Sequence, residues 1–264
     1  MNWFDAVLGA LCERDPERKV SAVSSLPPHP NPLPQGERGL HSASDNPAVP
    51  GRPERPPLVH PRDVPHRGFG NAEGRAALIH AIAHIEFNAI NLALDACWRF
   101  RDMPPDYYPD WLSVAQDEAR HFQMLSVRLG ELGHAYGDFA AHSGLWDAAE
   151  KTRHDVLARM ALVPRVLEAR GLDVTPGIIE RLKQAGDIET VRVLQIILDE
   201  EVRHVAIGTK WFRYLCTQRN LEPESTFHAL LNEHGMSRRP PFNLAARAAA
   251  GFSPRELAQL SATR

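Results

Sequence analysis

The sequence predicts an all-α protein built on a four-helix bundle, and three observations predict it. From residue 71 onward apolar residues recur at helical spacing over four long stretches with few breakers. Each stretch carries a glutamate where its apolar face calls for a core residue: Glu86, Glu118, Glu168 and Glu201. Two of these are followed one turn later by histidine, as Glu118-Ala119-Arg120-His121 and Glu201-Val202-Arg203-His204, which places carboxylate and imidazole on one helical face.

Residues 1–20 read as a short amphipathic N-terminal helix. The apolar run Trp3 to Cys12 contains Asp5 and lacks an early basic residue, so it does not read as a signal peptide. Residues 21–50 hold stretches such as Leu26-Pro27-Pro28-His29-Pro30 and read as a proline-rich disordered insert. Residues 51–70, from Gly51-Arg52-Pro53-Glu54-Arg55-Pro56 onward, space their prolines between basic and apolar residues and suit an extended strap; further linker is the other reading.

The bundle is expected over residues 71–219. Its first helix, about 71–100, shows the stripe Ile79, Ile82, Ala83, Ala89, Ile90, Ala93 and Cys97, and Met103-Pro104-Pro105 ends it. The second, about 108–130, turns Trp111, Val114, Ala115, Phe122, Leu125 and Leu129 inward. A glycine-bearing crossover over 130–144 leads to the third, about 145–170. Gly171 to Pro176 is expected to break that helix before a shorter piece with Pro176 at its first position. The fourth, about 187–219, carries Leu194, Leu198, Val205, Gly208 and Phe212. Residues 220–264 read as a helical appendage packed outside the bundle, with helices near 225–234 and 253–261, the latter opened by a capping box of Ser253 and Glu256.

Composition excludes several classes. A formal net charge of −3 over 264 residues gives no broad basic surface, so nucleic acid is not indicated as a partner. Cys12, Cys97 and Cys216 lie far apart and in no Cys-x-x-Cys spacing, which disfavours a zinc knuckle or a disulfide framework and suits a reducing, cytoplasmic setting. No window is expected to reach the roughly eighteen uncharged apolar residues of a membrane span.

Four ionised carboxylates converging on an apolar interior cost several kcal/mol each unless paired or bound to metal. Metal removes the conflict. The pattern is also duplicated. Asp117-Glu118-Ala119-Arg120-His121 matches Glu200-Glu201-Val202-Arg203-His204, while Glu86 precedes Glu118 by 32 positions and Glu168 precedes Glu201 by 33. Each helix pair thus supplies one lone Glu and one Glu-x-x-His, as in bundle proteins that bind two metals. The midpoint of Glu168 and Glu201 falls near Gln184, so the piece after Pro176 must continue the third helix's course, kinked.

The motif alone is weak. With 18 glutamates and 13 histidines, about one Glu-x-x-His arises by chance, and a third instance, Glu131-Leu132-Gly133-His134, has no partner glutamate at the repeat spacing. The competing reading of all six residues is solvated charge on helix surfaces. His80 and His84 share a face with Asn88, Asn91 and Asp95 rather than with Glu86, which favours hydrogen bonding over metal ligation. His154 lies about four turns from Glu168, too far for one site. Pro164 removes a backbone hydrogen bond one turn before Glu168, and a bend there either opens room at the site or is an ordinary kink. Tyr107, Tyr108, Tyr136, Trp98 and Trp111 suit a pocket lining or a radical carrier as well as they suit plain packing.

With these residues in view, the chain resembles the ferritin-like superfamily of di-iron carboxylate proteins, and more narrowly an uncharacterised bacterial family known only as a domain of unknown function. The resemblance covers about residues 51–208 and rests on Gly51 to Pro56, His80-Ala81-Ile82-Ala83-His84-Ile85-Glu86, the two pentads, and Glu168-Ala169-Arg170-Gly171-Leu172-Asp173. It implies a ferritin-like bundle with a long crossover, holding two metal ions, iron or manganese. Glu86 and His121 would serve one metal, Glu168 and His204 the other, and Glu118 and Glu201 would bridge. Oxygen and nitrogen donors suit these metals. Asp117 and Glu200 either orient neighbouring histidines or form surface salt bridges. The implied activity is a di-iron oxidoreductase of the monooxygenase type that activates dioxygen to oxidise or hydroxylate an organic substrate, fed by an electron donor. tRNA stays among the open substrates. Iron storage, or a helical interaction protein with a structural metal site, is the alternative.

Overall fold

The computed structural model describes residues 2–29, 50–64 and 68–262. Most of the expected insert, residues 30–49, and residues 65–67 of the strap lie outside the described residues. The regular elements are helical, with one isolated bridge between Leu58 and Ala141. The chain divides into two compact units, Met1–Trp146 and Asp147–Arg264.

In the first unit, α1 (Trp3–Cys12) opens with a capping box between Asn2 and Asp5 and buries Trp3, Phe4, Val7, Ala10 and Leu11. α2 (Pro16–Ser24) starts at the Asp15 cap with Pro16 at its first position. The expected single N-terminal helix is therefore two. The turn between them lets Lys19 reach back and cap α1: its buried Nζ donates to Ala10 O at 3.1 Å, Leu11 O at 2.7 Å and Asn91 Oδ1 at 2.8 Å. Ordered packing also runs past residue 21, since Leu26 is buried and the His29 ring stacks on Tyr108 with centroids 4.3 Å apart.

α3 (Ala72–Arg99) and α4 (Tyr107–Glu131) form the frame of this unit. Asn71 caps α3 by accepting from Gly74 N at 2.7 Å. The pair is antiparallel. Cys97 Sγ meets Tyr108 O, Phe87 meets Phe122, and Glu86 meets His121, so each step back along α3 is matched by a step forward along α4. α3 is the one described helix long and apolar enough to cross a membrane by length and composition, although Glu86 and Asp95 interrupt its apolar run, and 83% of its most apolar window is buried within the protein.

Residues 50–64 run extended. Gly51 N donates to Leu11 O at 2.8 Å, and the residues around Leu58 pair with the crossover through Val59 N to Ala141 O at 2.8 Å and Ala141 N to Pro57 O at 3.0 Å. The crossover is clamped to α3 as well. Gly137 N donates to His80 Nε2 at 2.9 Å, and His84 Nδ1 lies 2.8 Å from the Tyr136 hydroxyl. These are the hydrogen-bonding roles that the face of His80 and His84 suggests.

α5 (Gly144–Lys151) spans the boundary between the units. In the second unit the course of the third helix differs from expectation. Its break falls at residues 152–155, where Asp155 caps α6 (Val156–Leu162) by accepting from Leu157 N at 3.0 Å. From there the helix runs on through a wide, π-helical turn, Val163–Glu168, into α7 (Ala169–Gln184), with Gly171 and Pro176 inside it. α8 (Ile188–Gln218) returns from the Asp187 cap. α9 (Pro223–Glu233), α10 (Leu244–Ala249) and α11 (Pro254–Ala262) follow. Ala250 and Phe252 share a core with Ala169, Leu172 and Val205, so the C-terminal segment is part of this unit's interior rather than packed outside it. The Ser253–Glu256 capping box forms, with Ser253 N donating to Glu256 Oε2 at 2.8 Å and Glu256 N to Ser253 Oγ at 3.1 Å.

Candidate metal centre

The helical register of α3 and α4 puts Glu86, Glu118 and His121 on facing surfaces, and all three are buried, His121 completely. His121 Nδ1 lies 3.2 Å from Glu86 Oε2 and 3.4 Å from Glu118 Oε2. Three donor atoms, one from each residue, lie within 4.8 Å of one another. Burial and the charge of Glu118 push the Glu86 carboxyl well above the usual carboxylate range. Burial disfavours the charged form of His121, but its hydrogen bonds to Glu118 and Glu86 outweigh that and push the imidazole up to about 11. The proton on His121 thus does a cation's work between two crowded carboxylates. A divalent ion bound by the same oxygens and by Nδ1 would do it better, and the hard oxygen and imidazole donors fit iron or manganese.

In the second unit, His204 Nδ1 lies 2.9 Å from Glu201 Oε2, one turn apart on α8, and both are buried. Glu168 ends the wide turn and is buried too. One ordinary contact and one tight approach between the helices set its level. A side-chain carbon added at Gly171 would sit 3.9 Å from Glu201 Cγ, and one added at Gly208 would sit 2.2 Å from Pro164 Cγ. Both pairs obey one antiparallel register, and that register sets Glu168 level with His204. The same relation holds between Glu86 and His121 in the first unit. On that register each unit has a lone glutamate at the backbone level of the histidine of a Glu-x-x-His, but Glu86 joins a close group of donor atoms with its partners and Glu168 does not.

The tight seat of Pro164 on Gly208 yields a prediction. Gly208→Ala must displace the proline ring, and it is expected to cost about 1–3 kcal/mol by overpacking, read as a lower urea midpoint at unchanged m-value.

The remaining candidates are placed as follows. Asp117 is half-buried and accepts from Arg120 Nη2 at 2.8 Å, a pair along one helix, and Glu200 is half-buried. His154 is exposed in the turn after α5. Tyr107, Tyr108, Trp98 and Trp111 are buried in the first unit, and Tyr136 packs on Phe122 with ring centroids 5.0 Å apart. Cys12, Cys97 and Cys216 are free thiols. The sequence reading missed Arg165, the third residue of the wide turn, whose guanidinium is buried against Glu256. Pro164 inside a helical pattern was the available signal for that turn.

Fold and site together define an all-helical protein with buried carboxylate–histidine groups able to hold metal ions. The chain belongs to the family described as "Protein of unknown function (DUF455)", which it matches over residues 12–258. It is 45% identical to an uncharacterized protein of Haemophilus influenzae over 269 residues, covering 97% of this chain and 92% of that protein. No solved structure matches the chain.

Proposed function

We propose that the protein is a ferritin-like oxidoreductase in which Glu86, Glu118, His121, Glu168, Glu201 and His204 hold a pair of metal ions, iron or manganese, used to activate dioxygen against an organic substrate. The observation that carries this reading is the buried group Glu86, Glu118 and His121, whose donor atoms lie within 4.8 Å of one another. Two carboxylates crowded with one histidine in a dry interior call for a cation. The repeat extends the argument, because the second pentad and second lone glutamate stand in the same antiparallel register as the first.

Glu86 and His121 would bind one ion and Glu168 and His204 the other, with Glu118 and Glu201 shared between them. When bound, such a pair supplies redox chemistry with dioxygen and a template for the substrate. The protein's part is to fix the donors on long helices and to keep water from them. The helices carrying the donors bury Phe87, Phe122, Val166 and Val205, apolar surroundings that suit chemistry in which stray water must be excluded. An organic substrate and an electron donor are the partners this reading requires, and free thiols at Cys12, Cys97 and Cys216 suit a reducing cytoplasm.

The test is the metal content of the protein purified from iron-replete cells, beside Glu118→Ala and Glu201→Ala. About two irons per chain, magnetically coupled and lost in both variants, is the expected result. Two uncoupled ions, each removed by one variant only, would replace the dinuclear centre with separate mononuclear sites. A folded, metal-free wild type would overturn the reading. Reductase-dependent oxygen uptake then separates an oxidoreductase from a structural metal site, and native mass separates it from a storage cage.

A further inference from the structure

The wide turn Val163–Glu168 is the least regular part of the long helix that runs from α6 into α7, and it ends on a proposed metal ligand. A π-helical turn is rare, and where one occurs it is frequently at a functional site. Pro164 has no N–H to give to the ladder, so the segment lacks one of its backbone restraints. Its side chains do the restraining. Pro164 fills the gap left by Gly208, and Arg165, beside it, is the hub of the second unit's C-terminal packing.

The Arg165 side chain is 1% exposed. Its Nη2 donates to Glu256 Oε1 on α11, and its Cζ lies 4.6 Å from the ring centre of Phe212, 4.3 Å from Phe227 and 4.8 Å from Phe252. Its Nε and Nη1 have no hydrogen-bond partner, so Glu256 anchors the guanidinium. Glu256 is itself fixed. Its other oxygen accepts from Ser253 N at 2.8 Å, and the Ser253 hydroxyl donates to Glu224 Oε1 at 2.7 Å. A rigid chain of bonds thus runs from α9 and α11 into the middle of the wide turn, three residues from Glu168.

We infer that Glu256 and Arg165 are positioning residues of the metal centre, and that α11 sets the place of Glu168 by gripping the wide turn. The inference rests on the metal-binding reading above. A buried Arg–Glu pair is a poor source of stability compared with apolar packing, because burial of both charges offsets their attraction. Attachment of the C-terminal segment does not need it either. Arg247 Nη2 on α10 already bonds Asp173 Oδ2 on α7 at 2.7 Å, with its Nε on Asp173 Oδ1 at 2.9 Å. What the Arg165–Glu256 pair adds is a fixed geometry at the turn itself. The Arg247–Asp173 pair is of like burial and touches the end of the turn only through a 3.4 Å bond from Arg247 Nη2 to Ala169 O, so Asp173→Asn, which leaves Arg247 in place, provides an internal control.

The experiment compares full-length wild type, Glu256→Gln, Arg165→Lys and Asp173→Asn. Each is titrated with cobalt(II), whose visible absorption reports coordination number and geometry, and each is checked by circular dichroism and thermal melting. Glu256→Gln and Arg165→Lys are expected to keep their helicity, to bind one of two cobalt equivalents about tenfold or more weakly, and to shift the visible band. Asp173→Asn is expected to lower Tm with the cobalt affinity and spectrum of wild type. Wild-type affinity and spectrum in folded Glu256→Gln, or an equal loss in Asp173→Asn, would overturn the positioning role. If Glu256→Gln does not fold, Glu256→Asp, which keeps the charge and shortens the reach, is held to the same outcomes. A wild type that takes up no cobalt would remove the metal centre and this role with it, a result distinguishable because it appears before any substitution is made.

Discussion

Loaded with manganese(II), the protein is expected to melt at a temperature that draws steadily away from that of the metal-free protein as pH rises. In the metal-free state the proton on His121 holds Glu86 and Glu118 together, with the imidazole pushed up to about 11 against an ordinary 6.5. A group raised in this way contributes stability that is whole below pH 6.5 and is lost as pH climbs toward the folded value. The Glu86 carboxyl, raised by burial and by Glu118, acts in the same direction. A metal ion bound there would take the proton's place and release it, so affinity should grow about tenfold per pH unit for each proton displaced. One proton is worth about 1.4 kcal/mol per pH unit, and 1 kcal/mol moves Tm by about 2–4 °C in a chain of this size. The gap should therefore widen by roughly 3–6 °C per pH unit for a single proton between pH 6 and 9. Melting with chelator and with saturating manganese at each pH gives the number. Taking the difference cancels groups away from the site, such as Lys19, whose ammonium burial draws down to about 7. A gap that stays constant with pH would show that the ion does not displace the His121 proton.

What the sequence made legible follows from what each signal depends on. The ends of α3 and α4 fall within a residue or so of the reading because Asn71 and the Met103-Pro104-Pro105 turn are local signals that tertiary contacts do not override. Glu86, Glu118 and His121 could be grouped from periodicity alone, since an antiparallel hairpin with its turn near residue 102 must bring them to one level. The third helix was misread for the opposite reason. Gly171 and Pro176 look like breakers, yet both lie inside α7, where Gly171 faces Glu201 at ordinary van der Waals distance and the helix runs on. The actual break at residues 152–155 contains neither glycine nor proline, only the Asp155 cap. Arg165 and Lys19 stayed hidden, and Glu256 was legible only as part of a capping box, because a buried charge pair is recognisable only with both partners, and these lie 91 and 72 positions apart in Arg165–Glu256 and Lys19–Asn91.

Gly51→Ala shows the same limit and carries a large expected effect. Gly51 opens the tract Gly51-Arg52-Pro53-Glu54-Arg55-Pro56, and nothing in its neighbours says why glycine is needed. In the folded chain its N–H donates to Leu11 O at 2.8 Å, which lays the strap against the end of α1. A side-chain carbon there would lie 2.1 Å from Cys12 O and 2.3 Å from Glu13 O. Both are backbone oxygens at the turn into α2, so no rotamer change can make room. Either the strap lifts and loses its bond to Leu11, or the end of α1 moves and disturbs the carbonyls that Lys19 caps. The cost is expected to exceed the ordinary overpacking range of about 1–3 kcal/mol, against about 1–3 kcal/mol for Gly208→Ala, where the obstacle is a proline ring. Tryptophan fluorescence should report it early in a urea titration, because Trp3 on α1 packs edge-on to Tyr108 with centroids 5.9 Å apart. A Gly51→Ala protein as stable as wild type would mean that the strap does not rest on α1 in solution.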